Sequence, residues 1–454
     1  MEEVMKYPSY KDSGLKWIGE IPEHWKKTKV GNLYEITLGK MLQPKPRTSN
    51  DLLVPYLKAM NIQDGYIDTS NVDEMYSNNT EIEQMSIDKG DLLVCEGGEV
   101  ARSAIANSNY EGYIFQNSLH RVRSTNKGMN LYLHYLLNAV RGSGYINILV
   151  NKATIAHFTK DKFSSLKICV PPLVEQKAIS KYLEIKTAEI DLLISDKEKL
   201  IELLAEKRQV IINEEVTKGL NPDVKMKDSG VEWIGEIPEH WNIVKLKYCL
   251  KDGSLGVKIG PFGSSLKLDT MVNEGYKVYG QENLIKRDFD IGKRYITKEK
   301  FEELSAYEIN TGDVLISMMG TIGKCMVVPS NIKKGVMDSH LIRLSFKEDV
   351  VFPEFISLLI GSSNYVEEQF KISSKGSIMS GLNSTIIKSL NIILPPITEQ
   401  QKILAFLNKK LNELDNLKSS VVIQIEKLKE YRQSLIYEAV TGKIDVRNHK
   451  GKEV

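Results

Sequence analysis

The chain has 454 residues, with 61 Lys and Arg against 59 Asp and Glu, a formal net charge of +2 and a pI near 8.0. That length exceeds one ordinary core and suits two or three domains. A hydrophobic content of 42% with 26% charged residues is that of a soluble globular protein, and no apolar run approaches the ~18 residues that cross a bilayer. Near-neutral charge neither demands nor excludes nucleic acid: a DNA-binding protein so balanced must gather its basic residues on one face or share the duty with partners. The opening MEEVMKYPSY has neither a basic n-region nor an apolar h-region, so no signal peptide is expected and a cytoplasmic location is the default expectation. Cys95, Cys169, Cys249 and Cys325 form no CxxC pair, so reduced, partly buried thiols are expected rather than a metal or redox centre.

In chain order, the first distinctive stretch is KDSGLKWIGEIPEHW, Lys11 to Trp25. It returns at Lys227 to Trp241 with thirteen of fifteen positions identical, and the two copies hold all four tryptophans. A second pair follows. VPPLVEQKAISKYLEIKTAEID begins at Val170 and LPPITEQQKILAFLNKKLNELD at Leu394. Between the phrases the match is weak but visible. KGDLLV at Lys89 faces TGDVLI at Thr311, and Asn61, Asp68, Leu119 and Arg121 face Asn283, Asp290, Leu341 and Arg343 at the same offset of 222. The whole chain is a duplicated two-part unit, a variable globular domain followed by a constant helix. The expected segments are 1–25, 26–169 (first variable domain), 170–219 (first helix), 220–241 (the repeated phrase), 242–393 (second variable domain), 394–442 (second helix) and 443–454 (tail).

The variable domains read as α+β with a curved sheet. Short β-type runs broken by Gly, Asn and Asp recur, as in DLLVCEG, YIFQNSLHRVRS, DVLISMMG and GVMDSHLIRLSF, with helices at Met129–Gly142 and Val351–Phe370. Basic and small polar residues gather in loops. GKMLQPKPRTSN supplies Lys40, Lys45 and Arg47 without an acid. KIGPFGSSLK supplies Lys258, Ser264, Ser265 and Lys267 around glycines. Glycine lets backbone approach a phosphate, and Ser and Lys donate to its oxygens. Asn and Gln can pair with adenine edges and Arg with guanine. The DNA-contact candidates are therefore these seven with Lys58, Asn61, Gln116, Asn117 and Arg121 in the first domain, and Gln281, Asn283, Lys324, Ser339, His340 and Arg343 in the second.

After each Pro-Pro the period becomes helical. Leu183, Ile190, Lys197, Leu204 and Ile211 recur every seven residues, as do Leu407, Leu414, Val421, Leu428 and Leu435; Leu193, Leu200, Leu417 and Tyr431 are expected on the neighbouring seam positions. Neither stretch contains Gly or Pro for about 44 residues, roughly 65 Å of helix. Such stripes need partners, so the two helices are expected to pair antiparallel in a pseudo-twofold, circular arrangement, with one variable domain at each end and residues near 10 and 442 as neighbours. Gly219 and Gly442 are expected helix caps.

Catalytic motifs fail on inspection. VPPL and LPPI lack the side-chain carbonyl and aromatic ring of an amino-methyltransferase tetrad. In the GTIGK stretch, Met318 and Cys325 replace residues a Walker loop requires. Glu184-Ile185-Lys186 has nuclease spacing but lies on a coiled-coil helix. His24 and His240 sit in the copied phrase, where a structural role is expected. No catalytic residue and no metal site is expected.

The doubled DSGxxWIGEIPEHW ahead of a variable domain, with PPxxEQ opening a long helix, resembles the specificity subunit of type I restriction–modification systems; IGPFGSSLK and the Asn61-Ile62 pair resemble loops of its domains. The resemblance covers roughly residues 7 to 446. It implies a non-catalytic subunit with two target-recognition domains, each reading one half of a split site in double-stranded DNA. The helices would set the spacing and dock two methyltransferase (modification) subunits. S-adenosylmethionine, ATP and magnesium would belong to those and to restriction subunits, with no cofactor in this chain. Two other readings stay open at this point: a tandem protein-binding scaffold, and a stand-alone DNA methyltransferase or nuclease.

Overall fold

The computed structural model describes residues 5–149, 158–318, 323–374 and 382–447. Of the GTIGK stretch, Gly320 to Ile322 therefore lie outside the described residues. Two compact units emerge, residues 1–198 with 422–454, and residues 199–421, so the division cuts through both long helices.

In the first unit a four-stranded antiparallel sheet has the order Tyr34–Leu38, Leu119–Ser124, Leu92–Cys95, Ser103–Ile105. A three-stranded sheet has the order Asp73–Ser77, Leu52–Leu57, Ile114–Phe115, its last pair parallel. The second unit repeats both. Val257–Ile259, Leu341–Leu344, Val314–Ser317 and Cys325–Val327 form the larger sheet, and Tyr295–Ile296, Tyr276–Tyr279 and Gly335–Met337 the smaller. The register agrees as well: Leu93 lies opposite Arg121 and Leu315 opposite Arg343. KGD and TGD make one turn twice. Gly90 and Gly312 take positive φ (91° and 84°), and Asp91 and Asp313 turn back to accept from the N–H of Asp88 and Asn310. The hydrophobic run that follows, Leu92–Cys95 or Val314–Ser317, is buried throughout.

The long helices run Leu173–Lys218 and Ile397–Val440, 46 and 44 residues. Within the first unit they are antiparallel. Arg432 pairs with Asp191 at 2.8 Å, and Lys197 Nζ donates to Gln424 at 2.6 Å. Leu183 and Ile190 share a core with Leu435, Ile436 and Val440, with Leu428 packed at its edge. Lys197, on the expected seam, thus crosses to a partner side chain. Within the second unit Ile212 and Val216 join Leu407 and Leu411, and Arg208 faces Asp415. Leu204 and Val421 are buried, whereas Ile211 and Leu414 are only partly so. The expected neighbouring seam fails: Leu193, Leu200, Leu417 and Tyr431 are exposed. The core stripe passes instead through Ile212, Leu411, Ile425 and Ile436, because helix ends that meet a globular domain bury a broader face than a coiled-coil seam.

The copied phrases grip the copied helices. Trp25, fully buried, donates its indole N–H to Glu175 Oε1 at 2.9 Å, His24 Nε2 lies 2.7 Å from Oε2, and the Tyr7 hydroxyl donates to Oε1 at 2.5 Å. Burial, and then this bond to Glu175, hold the Tyr7 phenol far above its ordinary pKa. In the second unit Trp241 and His240 hold Glu399 in the same way, at 2.9 and 2.8 Å. Asp223 occupies the position corresponding to Tyr7, so that third bond is missing there and a cleft opens beside His240, Trp241 and Glu399. Gly219 (φ 75°) and Gly442 (φ 73°) cap the helices against the tryptophans; a Cβ on Gly442 would meet Pro22 at 2.4 Å. The second helix thus ends on the first phrase. Tyr437 donates to the Trp17 carbonyl at 2.7 Å and the Asp445 N–H to that of Met5 at 2.8 Å, as the circular reading requires. His24 and His240 therefore have structural positions, and the two Pro-Pro pairs serve helix entry: Gln176 and Gln400 donate to the Pro171 and Pro395 carbonyls.

Candidate nucleic-acid interface

Each domain brings separate stretches of sequence to one rim. In the first, the Gly39 N–H reaches the Leu119 carbonyl at 3.0 Å, and Lys40 and Asn117 bond through backbone at 2.9 Å. Gln116 and Asn117 therefore lie against the GKMLQPKPRTSN loop. The turn after Leu52–Leu57 joins them, since the Gln116 N–H donates to the Leu57 carbonyl. In the second domain Gly260 packs so closely on the 338–341 turn that a Cβ would sit 1.8 Å from the Asp338 carbonyl oxygen. The loop that carries Ser264, Ser265 and Lys267 thereby starts, just after Lys258, beside the turn that carries Ser339 and His340. Gln281, Lys293, Arg294, Asp338 and His340 line an open concavity beside it.

Several candidates have other occupations. Asn61 (3% exposed) donates to the Asp68 and Asn71 carbonyls and accepts from the Lys58 N–H. Asn283 (1%) makes the corresponding bonds to Asp288, Ile291 and Gly280. A buried amide with its donors and acceptor spent on local backbone braces a loop and leaves nothing for a base. Arg121 and Arg343 are buried too, each giving Nη1 to a carbonyl, of Ser86 and Glu308. Lys40 is buried in an ion pair with Glu81 at 2.6 Å and bonds Gln43, and Lys58 pairs with Asp73. The loop that carries no acid in sequence is thus met by acids in space. Glu81 neutralises Lys40, and Asp51 accepts from the Arg47 N–H and the Thr48 hydroxyl, bonds that lower its pKa to about 2.

Lys45, Arg47, Lys267, Lys324 and His340 are exposed, and Gln116, Asn117, Lys258, Ser265, Gln281 and Ser339 partly so. Lys258 Nζ stands 4.9 Å over the Tyr307 ring. Residue types alone missed Lys293 and Arg294, although the signal was present as two Lys-Arg pairs, at 286–287 and 293–294, flanking DFDIG. Arg294 bonds Asp338 at 3.0 Å, and the buried Lys277 ammonium holds the Phe289 and Asp290 carbonyls at 2.8 Å, so this basic loop is fixed. Burial pushes the four cysteine thiols up to about 11, away from thiolate chemistry.

Comparison with known proteins decides the family. The family described as type I restriction modification DNA specificity domain matches residues 22–203 and 263–427, most of the chain. This chain belongs to that family. Among specificity subunits it is similar to that of the type I restriction enzyme MjaVIII of Methanocaldococcus jannaschii, 24% identical over 97% of this chain and 98% of the relative. It is also similar to that of EcoKI of Escherichia coli, 21% identical over 94% and 90%. Two solved structures share the fold. One is a chain from a study of complex assembly and conformational transition of the type I R-M system (TM-score 0.68, 15% identity, 92% of this chain and 98% of that one). The other is the HsdS subunit from Thermoanaerobacter tengcongensis (TM-score 0.55, 17%, 95% and 100%). As a member of the specificity family, the chain is a DNA-recognition subunit of the type I kind, and its two variable domains are target-recognition domains. Among its described residues no helix is long and apolar enough to cross a membrane.

Proposed function

We propose that each target-recognition domain reads one half of a bipartite site in double-stranded DNA, and that this chain does so without catalytic chemistry or a cofactor of its own. The observation that carries this is the rim built twice by one set of braces yet furnished differently. Buried Asn61, Arg121 and Asn283, Arg343 hold equivalent turns, while the exposed or partly exposed residues are Lys45, Arg47, Gln116 and Asn117 on one and Ser264, Lys267, Gln281, Ser339 and His340 on the other. Identical scaffolds with unlike surface groups suit two unlike half-sites. Lys45, Arg47, Lys258, Lys267 and Lys324 would hold phosphates; Gln116, Asn117, Gln281 and His340 would reach base edges.

The exposed apolar residues on the helices have a different use. Leu192, Leu193, Ile423 and Tyr431 in the first unit, and Leu200, Leu203, Val210 and Leu417 in the second, are more than a solvated helix needs. They suit the docking of two methyltransferase subunits, which would carry S-adenosylmethionine, with restriction subunits supplying ATP- and magnesium-dependent cleavage, all in the cytoplasm. The helices would set the spacing between half-sites. The test is to purify the chain with type I methyltransferase subunits from the same source, map the methylated sites in the source genome, and titrate a duplex carrying the site. Salt-dependent binding that fails when either half-site is scrambled is expected; binding indifferent to both halves would refute the reading.

A further inference from the structure

Two apolar side chains stand out of the reading rims at the same place in both domains. Met41 is 72% exposed and Phe262 is 85% exposed. Their equivalence is structural. Leu38 lies opposite His120 and Ile259 opposite Ile342. The next residue, Gly39 or Gly260, gives its N–H to the Leu119 or Leu341 carbonyl, at 3.0 or 2.9 Å. Two residues further on comes the exposed side chain.

Both loops are fastened on either side of it. Lys40, before Met41, is buried against Glu81. Gln43, after it, is buried, bonds Asp51 at 2.7 Å and accepts the Tyr76 N–H at 2.9 Å. Pro261, before Phe262, is buried; the Phe262 carbonyl accepts from the Ser265 N–H at 2.8 Å, and Leu266 packs against the cluster of Val278, Ile296 and Phe301. A slack loop would fold such a side chain back onto the protein. Here the anchored neighbours hold it out in water, which is unfavourable unless a partner takes it up. The surroundings point to the partner's chemistry. Phe262 is followed by Gly263, Ser264 and Ser265, with Lys267 on the same loop, rather than the broad apolar patch of a protein interface, whereas Met41 is followed by a second exposed apolar side chain, Leu42 (49%), before the basic Lys45 and Arg47. Met and Phe both belong to the side chains that enter between base steps.

We propose that Met41 and Phe262 are DNA wedges, each opening one base step at the half-site its own domain reads. The cost of unstacking depends on the step opened, so each wedge would add selectivity at bases that no side chain hydrogen-bonds. This rests on the DNA-reading function, and the test separates the two. The full chain, assembled with its methyltransferase subunits, is titrated with duplexes carrying the mapped site and 2-aminopurine at successive positions other than the methylated adenines. Fluorescence should rise at one step in each half. Phe262→Ala should abolish the rise in one half only, Met41→Ala in the other only, and Phe262→Leu should keep it; affinity of Phe262→Ala should fall roughly tenfold. Binding without any rise, or a rise untouched by both alanines, overturns the wedges and leaves DNA reading intact. Alanine variants that no longer assemble with the methyltransferase assign these side chains to a protein interface and overturn the wedges too. Failure of the wild-type complex to bind the duplex would remove DNA reading itself, and the wedges with it.

Discussion

Glu175 and Glu399 are the same residue of the duplicated unit, yet their removal should not have the same effect. Glu175 has a side chain 6% exposed and three partners; Glu399 is 35% exposed with two. Glu175→Ala leaves the Trp25 indole N–H and the Tyr7 hydroxyl buried without acceptors, each costing ~1–3 kcal/mol, so the total loss should be about 3–5 kcal/mol. Glu399→Ala leaves one indole N–H beside an open cleft where water can replace the carboxylate, and should cost about 1–2 kcal/mol. The assay is urea unfolding of each full-length variant followed by tryptophan fluorescence, which reports on these sites because all four tryptophans lie in the two phrases. Glu175→Gln, which keeps an acceptor for the indole, should fall between wild type and alanine. Equal losses at the two glutamates, or a Glu175→Ala loss under about 1 kcal/mol, would refute the clamp as the reason the phrases are paired with the helices.

Burial holds the His134 imidazole down to about 4, against 6.5 for the free group, so the folded protein takes up this proton later than the unfolded chain. The contribution is fully present above about pH 6.5 and is lost as pH falls towards 4; between pH 7 and pH 5 it amounts to about 2 kcal/mol. His134→Gln should flatten that part of the stability profile in urea titrations at several pH values. Neutralising Lys45 and Arg47 together should weaken DNA binding evenly across sequences and flatten its salt dependence, measured by anisotropy at several salt concentrations; a loss confined to one sequence would assign them to bases. Asn61→Ala and Asn283→Ala should each lower stability by about 2–3 kcal/mol in chemical denaturation, because two carbonyls and one N–H lose their partner. Inserting one heptad into both long helices should lengthen the spacer between methylated half-sites in genome-wide methylation maps while leaving the half-sites unchanged.

The repeated frame was legible because its signals are local or periodic. Tryptophan-bearing phrases, Pro-Pro entries, capping glycines and seven-residue spacing each fix geometry within a few residues. The seam was legible only in part. Leu193 and Tyr431 fit a heptad but face water, since a heptad names a stripe without saying what covers it. The rim was harder. Asn61, Arg121 and their counterparts have the chemistry of base readers, yet burial commits them to backbone carbonyls, and burial depends on contacts 35 residues away in the case of Arg121 and Ser86. Lys40 lost its place to Glu81, 41 positions distant. Conversely, Met41 and Phe262 drew no notice as residue types. Only the anchoring of their neighbours distinguishes them from ordinary loop hydrophobics.

Apart from the Tyr7 bond, the bonds of Glu175 and Glu399 run between repeated segments, whereas those of Asn61, Arg121, Asn283 and Arg343 stay inside a single lobe. A genetic crossover falling within either tryptophan-bearing phrase would therefore hand down a complete lobe with its internal ties uncut. Such an exchange replaces half of the address the molecule recognises and leaves its joints as they were.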